Sequence, residues 1–225
     1  MKNQDEWVIY AKANKQYFIN QVIAGKNISE SKTAIFMAGS PGAGKTEVAE
    51  TLACLDEELC LIDADHFRSQ FPGYNGKNSY LFQRGASKLV DLVFTYLLKK
   101  EYSFILDGTF ALGRAEENIS RTLKRGYEVT LYYVYQDPLI AWRFTKEREI
   151  AEGRHVPKET FINSYFKAQE NVALIKNLYP NEIEMHVVMK DYRNEITEIH
   201  FDTDNLNIFF PTHYTREELE VLLND

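Results

Sequence analysis

The chain of 225 residues contains few of the residues that mark several classes of protein. Its two cysteines, Cys54 and Cys60, both lie beside apolar runs, so we expect buried free thiols and neither a disulfide nor a metal site. No apolar run approaches the roughly 20 residues that a membrane-spanning helix needs. The polar N-terminus also lacks the apolar core of a signal peptide. These absences predict a soluble cytoplasmic protein with no membrane role.

The chain also has fewer basic than acidic residues. The chain has 26 Lys and Arg against 33 Asp and Glu, a formal net charge of -7. This balance argues against nucleic acid as a partner, because such binding depends on neutralising backbone phosphates. Hydrophobic residues, in contrast, make up 44% of the chain and aromatic residues 13%. That composition supplies a full core, excludes a disordered chain and fits an α/β domain of generous size.

Short apolar runs alternate along the chain with longer stretches of helical spacing. Strands are predicted at residues 33–38, 59–62, 103–106, 127–134, 183–189 and 196–201. Helices are predicted at residues 6–24, 45–55, 79–100, 115–125, 138–152 and 158–178, and a capping box at Thr215 begins a last short helix. This alternation indicates βαβ units, and near-continuous apolar strands indicate helices on both faces. We therefore predict an α/β fold with a doubly wound, mostly parallel sheet, and a helical lid after residue 137 at its C-terminal edge.

The loop after the first predicted strand matches the phosphate-binding pattern G-x-x-x-x-G-K-[ST]. Its residues are Gly39, Ser40, Pro41, Gly42, Ala43, Gly44, Lys45 and Thr46. Glycines let successive backbone N–H groups turn towards a phosphate, and the following helix presents its positive end. Lys45 would reach the β- and γ-phosphates of ATP or GTP, and Thr46 would offer a hydroxyl to Mg²⁺. An ordinary glycine turn would not explain Lys45 and Thr46, so we predict P-loop topology and a bound nucleotide.

Aspartates follow two more of the predicted strands. Asp63 and Asp65 come after the second strand, with Arg68 three residues further on, and Asp107 follows the third. Functional groups collect at the carboxyl ends of strands in this fold. There a carboxylate can hold Mg²⁺ or accept a proton from a hydroxyl. The alternative is that a strand-end aspartate only caps the next helix, which is as good an explanation for Asp63.

Basic residues cluster in the segment that follows residue 142. They are Arg143, Lys146, Arg148, Arg154 and Lys158. Arg148 and Arg154 flank a break between two helical patterns, and a break with arginines suits a mobile lid over phosphates. The competing interpretation is a solvated surface, since interleaved glutamates could neutralise these charges. The charge pattern alone slightly favours the solvated surface.

Taken in order, these segments resemble the zeta toxin family of P-loop kinases, the toxins of epsilon/zeta and PezAT-type toxin–antitoxin systems. The resemblance rests on the phosphate loop, residues 62–72, residues 107–109 and the two separated arginines, over about residues 33–195. It implies a cytoplasmic kinase that uses ATP or GTP with Mg²⁺. The implied acceptor is the 3′-hydroxyl of UDP-N-acetylglucosamine, a nucleotide-sugar, and the implied partner is an antitoxin protein.

The resemblance also implies a role for each matching residue. Lys45, Asp65, Arg148 and Arg154 would be catalytic, with Asp65 as the base. Thr46 and Asp107 would hold the metal, and Asp107 stands where the family usually has Glu. Asp107 and Thr109 would contact the acceptor, and beside the resemblance we predict that Asp63 and Arg68, after the second strand, also bind it.

The residues leave some alternatives open. The acceptor of such a kinase could be another nucleotide, a metabolite, an antibiotic or a nucleic-acid end, and the chain could instead be a nucleotide-dependent switch. We expect residues 1–30 to form a helical extension and residues 31–225 the kinase domain. The predicted first helix would either pack on the domain as structure or cover the site and restrain the enzyme.

Overall fold

Six strands form a single sheet in the computed structural model, which describes residues 4–28, 31–111 and 113–224. The strands are β1 (Thr33–Ala38), β2 (Cys60–Asp63), β3 (Phe104–Asp107), β4 (Glu128–Tyr135), β5 (Ile183–Lys190) and β6 (Ile196–His200). Their order across the sheet is β2-β3-β1-β4-β5-β6. All neighbours pair in parallel except β5 and β6, which are antiparallel. The predicted mostly parallel sheet is confirmed.

The helices lie close to the predicted positions. They are α1 (Gln4–Val22), α2 (Lys45–Leu55), α3 (Ala64–Ser69), α4 (Ser79–Lys100), α5 (Ala115–Leu123), α6 (Pro138–Glu152), α7 (Lys158–Leu178) and α8 (Arg216–Leu222), with a 3₁₀ turn at Leu206–Phe209. The capping box at Thr215 is present. The sequence analysis missed α3, because a helix of six residues is too short to show a periodic pattern.

Helices cover both faces of the sheet, as the apolar strands predicted. Alternate side chains of β1 point to opposite faces. Ala34, Phe36 and Ala38 join the larger apolar core, to which α1, α4, α5 and α7 contribute. Ile35 and Met37 join a smaller core with α2. Because α7 packs Ala168, Val172 and Ile175 into the larger core, it is part of the domain, and only α6 and the segment that follows it remain candidates for the predicted lid.

Helix α1 is tied into the larger core by its aromatic side chains. Trp7 packs edge-on against Phe71, and Phe18 packs edge-on against Phe67 of α3. Both Trp7 and Phe18 are buried. This packing supports the interpretation of α1 as a structural part of the domain. The predicted boundary at residue 30 stays a prediction, and residues 29–30 lie outside the described chain.

Phe18→Ala should therefore destabilise the protein strongly. Phe18 is 0% exposed, and removing its ring leaves a cavity among Phe67 and Phe71. We expect a loss of about 3–5 kcal/mol in the free energy of unfolding, measured by urea denaturation. Tyr17→Ala is the matched control, because the Tyr17 side chain is 58% exposed and should cost far less. Equal losses for the two variants would contradict the structural role of α1.

Two expectations concern residue exposure. Cys60 is buried and its thiol is free, as predicted, but the prediction that Cys54 is buried is wrong. Cys54 lies on α2 beside the exposed Leu55, on the side of the helix that faces away from the sheet.

Among the described residues, no helix combines the length and apolar character that crossing a membrane requires.

Candidate active site

The phosphate loop joins β1 to α2 in the arrangement that the sequence predicted. Gly44 caps the start of α2 with a left-handed φ of 83°. A Cβ at this position would overlap the Lys190 ammonium and the Asn194 amide oxygen, which lie behind the loop. Gly44 is therefore required by its left-handed conformation, whereas the Lys190 and Asn194 side chains that approach it could shift to make room.

Lys45 is buried at the base of the loop. Its side chain bends back, and Nζ donates a hydrogen bond of 2.6 Å to the carbonyl oxygen of Ser40. Burial lowers the pKa of Lys45 from its usual value, and the charges of Asp107 and Asp65 oppose that shift. An ammonium group held in this position gains most from a multiply charged anion in the loop.

Thr46 and Asp107 meet where α2 begins and β3 ends. The Thr46 hydroxyl donates a hydrogen bond of 2.7 Å to Asp107 Oδ2. Burial raises the pKa of Asp107, while Lys45 and the bond from Thr46 act against that shift. A hydroxyl oxygen beside a carboxylate fits Mg²⁺, which prefers oxygen ligands and often takes one or two protein oxygens together with phosphates. The described residues hold no cluster of three or more His, Cys, Asp or Glu that would bind a metal alone.

The two aspartates that follow β2 have different partners. Both oxygens of Asp63 accept backbone N–H bonds at the start of α3, from Asp65 at 2.7 Å and His66 at 3.1 Å. Asp63 is therefore the helix cap that the alternative interpretation described, and its role in acceptor binding stays a prediction. Burial raises the pKa of Asp63, aided by nearby Asp65, and the two cap bonds oppose the shift.

Asp65 is surrounded by three arginines. Arg68 Nη1 lies 2.9 Å from Asp65 Oδ1, and Arg148 Nη2 lies 3.5 Å from Oδ2. Arg154 Nη1 also contacts Oδ2. Arg148 is additionally paired with Glu152 at 3.0 Å, so the predicted neutralisation by glutamates is present but incomplete. The fold thus brings both predicted arginines of the lid segment to Asp65.

A cavity of about 1170 Å³ connects these groups. Pro41, Gly42, Gly44, Lys45 and Thr46 of the loop line it, as do Asp63, Asp65, Arg68, Asp107, Thr109, Arg148 and Arg154. The rest of the loop lies behind its wall. The Gly39 N–H bonds to the Thr109 carbonyl, the Ser40 carbonyl accepts from Lys45, and Ala43 packs in the smaller core. All the predicted acceptor and catalytic residues therefore share one cavity.

Some basic residues of the same segment serve elsewhere. Lys158 donates to the carbonyls of Glu220 and Leu223, next to α8. Lys146 pairs with Glu149 on α6, and Arg143 Nη2 donates to the Tyr192 carbonyl. None of these three residues is among those that line the cavity in the described chain.

The structure also adds residues that the sequence analysis did not select. Gln83, Lys88 and Asp91 of α4 and Arg114 before α5 line the far wall of the cavity. Lys88 and Arg114 both face Asp91, at 2.7 Å and 3.6 Å. Lys88 and Asp91 are three residues apart on α4 and so share one helix face, but that spacing does not distinguish a cavity wall from any solvated helix face.

Gly76 packs against the end of α6 that carries Arg148. A Cβ at Gly76 would overlap the Glu152 carbonyl oxygen, whereas a Cβ at Gly73 would meet open space. Both glycines have left-handed φ, 77° and 82°, so alanine strains the backbone equally at the two sites. We expect Gly76→Ala to lower the free energy of unfolding by about 1–3 kcal/mol more than Gly73→Ala, measured by urea denaturation. Equal losses would mean that the contact with α6 contributes nothing.

Comparison with known proteins agrees with this geometry. The zeta toxin family model matches residues 19–213, which is most of the chain. The chain belongs to the zeta toxin family. The resemblance inferred from the phosphate loop and the strand-end aspartates is thereby confirmed.

Curated zeta toxins match over part of their own length. Toxin PezT of Streptococcus pneumoniae serotype 4 is 29% identical over 136 residues, covering 56% of this chain and 54% of that protein. Toxin zeta of Enterococcus hirae is 25% identical over 183 residues, covering 75% of this chain and 61% of that protein. The chain thus aligns with little more than half the length of these relatives.

Solved structures confirm the fold. A structure from the PezAT chromosomal toxin–antitoxin system of Streptococcus pneumoniae superposes with a TM-score of 0.72 at 23% identity, covering 94% of this chain and 92% of that one. The complex of AvrRxo1-ORF1 and AvrRxo1-ORF2 with ATP gives a TM-score of 0.62 at 12% identity, covering 92% and 70%. The kinase-like P-loop fold predicted from the sequence is therefore confirmed.

Proposed function

We propose that this zeta toxin family member is a kinase that transfers the γ-phosphoryl group of ATP or GTP to a hydroxyl of a small molecule. The acceptor that we propose is the 3′-hydroxyl of the amino sugar of UDP-N-acetylglucosamine. The single observation that carries the proposal is the shared cavity, in which the phosphate loop, Asp65 and the two lid arginines face the same space. A nucleotide switch would not need room for an acceptor beside its phosphate site.

The nucleotide side of the cavity is formed by the loop. Backbone N–H groups of the loop and the Lys45 ammonium would hold the phosphates. The positive end of the α2 dipole also favours a phosphate at this position. Thr46 and Asp107 would hold Mg²⁺, which supplies charge neutralisation at the phosphate oxygens. Arg148 and Arg154 would move from Asp65 to the transferring phosphoryl group, where charge develops in the transition state.

The acceptor side is formed around Asp65. Asp65 would accept the proton of the acceptor hydroxyl as that oxygen bonds to the γ-phosphorus. The bond from the γ-phosphorus to its bridging oxygen then breaks, and the nucleoside diphosphate leaves. The far wall suits an acceptor that carries phosphate, because Lys88 and Arg114 place two cations around one carboxylate, Asp91.

The test uses the purified protein with ATP, Mg²⁺ and UDP-N-acetylglucosamine, followed by mass spectrometry of the small molecules. We expect a product heavier by one phosphate, with the added group on the sugar. The same reaction with GTP identifies the preferred nucleotide. A phosphorylated product from another nucleotide or metabolite would keep the kinase and replace the acceptor. ADP formation that no acceptor accelerates would instead support the nucleotide switch.

The family resemblance also implies a protein partner, an antitoxin. PezAT is described as a toxin–antitoxin system, and AvrRxo1-ORF1 was solved in complex with AvrRxo1-ORF2. These statements concern those proteins, and an antitoxin for this chain stays a proposal. We expect such a partner to slow ADP formation in the kinase reaction when the two proteins are mixed.

A further inference from the structure

The two oxygens of Asp65 are held by different parts of the fold. Oδ1 accepts from Arg68, which lies on α3 next to Asp65 itself. Oδ2 faces Arg148 of α6 and Arg154 of the segment after it. The partner of Oδ1 therefore belongs to the same rigid element as the aspartate, and the partners of Oδ2 belong to the predicted lid.

Arg68 is fixed far more firmly than the lid arginines. The Arg68 side chain is 3% exposed, whereas the side chains of Arg148 and Arg154 are 45% and 23% exposed. Arg68 Nη2 also donates a hydrogen bond of 2.7 Å to Gln83 Oε1, which ties it to α4. A guanidinium group has only donors, so the amide oxygen of Gln83 must face it.

We infer that Arg68 is a positioning residue, which holds Asp65 Oδ1 between α3 and α4 and so leaves Oδ2 as the oxygen that accepts the proton. The inference rests on the proposed function. It changes the role predicted from the sequence, in which Arg68 would bind the acceptor. Arg68 has one nitrogen committed to Asp65, another committed to Gln83, and almost no exposed surface. The proposed reaction needs Arg148 and Arg154 to move to the phosphoryl group. The bonds of Arg68 to Asp65 and Gln83 can stay in place throughout.

The test is a double-mutant cycle between Arg68 and Asp65. Arg68→Lys keeps the positive charge but cannot bond to Asp65 and Gln83 in the same planar geometry, and Arg68→Met removes the charge at similar volume. We expect each variant to lower kcat by about 10- to 100-fold, with KM for the nucleotide and acceptor changed less than about threefold. In an Asp65→Asn background, either substitution should cause no further loss, because Arg68 acts only through Asp65.

Other outcomes would overturn the inference. A rise in the acceptor KM with unchanged kcat would make Arg68 an acceptor ligand. A loss that adds fully to that of Asp65→Asn would mean that Arg68 acts independently of the aspartate. Unfolding curves in urea accompany the kinetics, and a loss of activity that follows only the unfolded fraction would make Arg68 merely structural. Arg68→Lys retains the buried charge, so it carries the test where Arg68→Met does not fold.

The measured quantity also separates this inference from the proposed function. ADP formation is recorded with and without the sugar nucleotide. Failure of the proposed acceptor appears in the unaltered protein, as ADP formation that does not respond to it. Failure of the inference appears as equal turnover of the unaltered protein and Arg68→Lys, with water or any other acceptor that accelerates ADP formation.

Discussion

Asp65→Asn is expected to lower the turnover of phosphoryl transfer by about 10²- to 10⁴-fold, the range for loss of a general base. Asparagine has the size of aspartate but cannot accept the proton of the acceptor hydroxyl. The affinity for ATP should change only a few-fold, because the contacts of the phosphate loop with the nucleotide do not involve Asp65. Single-turnover transfer and nucleotide binding by calorimetry measure the two quantities separately.

Asp63→Asn is the informative comparison for this prediction. Asp63 lies two residues away, and both its oxygens accept backbone bonds at the start of α3. Asparagine can keep the cap bond from the Asp65 N–H, but its amide nitrogen cannot accept the bond from the His66 N–H. We therefore expect a weakened start of α3 and a loss of transfer well below that of Asp65→Asn. Transfer by Asp65→Asn at the unaltered rate would exclude Asp65 as the base. Equal losses of transfer for the two variants would mean that the rate depends on the negative charge at the end of β2 and not on one proton-accepting oxygen of Asp65.

Arg154→Ala is expected to lower turnover by about 10³-fold or more, the effect of removing an arginine that stabilises phosphoryl transfer. Arg154 is the less exposed of the two lid arginines and makes direct contact with Asp65 Oδ2, the oxygen that we propose accepts the proton. Arg148 lies 3.5 Å from the same oxygen and is shared with Glu152, so Arg148→Ala should cost less. Rapid-quench measurement of transfer at saturating substrates gives both values.

Lys146→Ala is the control for the lid arginines. Lys146 lies on the same helix as Arg148, but its ammonium pairs with Glu149 and lies over the Trp142 ring. We expect turnover within about twofold of the unaltered protein, since Lys146 does not line the cavity and its pair with Glu149 joins neighbours on one helix. A loss similar to that of Arg154→Ala would mean that general positive charge on the lid is sufficient. Unchanged turnover of Arg154→Ala would assign the lid no part in the chemistry.

The sequence by itself determined the parts of the protein that depend on near neighbours. The phosphate loop is a continuous segment, so its glycines, Lys45 and Thr46 are recognisable without any knowledge of the fold. The alternation of apolar strands and amphipathic helices gave the layered sheet for the same reason, because each pattern is set within about ten residues. Asp65 and Asp107 were found because strand ends meet at one edge in parallel sheets.

Tertiary structure decided the contacts between distant residues. Arg148 and Arg154 follow Asp65 by 83 and 89 positions, and their charge pattern alone slightly favoured a solvated surface. Gln83 reaches Arg68 only because α4 packs beside α3, and α1 enters the core only because Trp7 and Phe18 meet rings from residues 67–82. Cys54 is exposed because α2 turns that face outwards. Such contacts depend on how the elements pack together, which no local pattern of residues encodes.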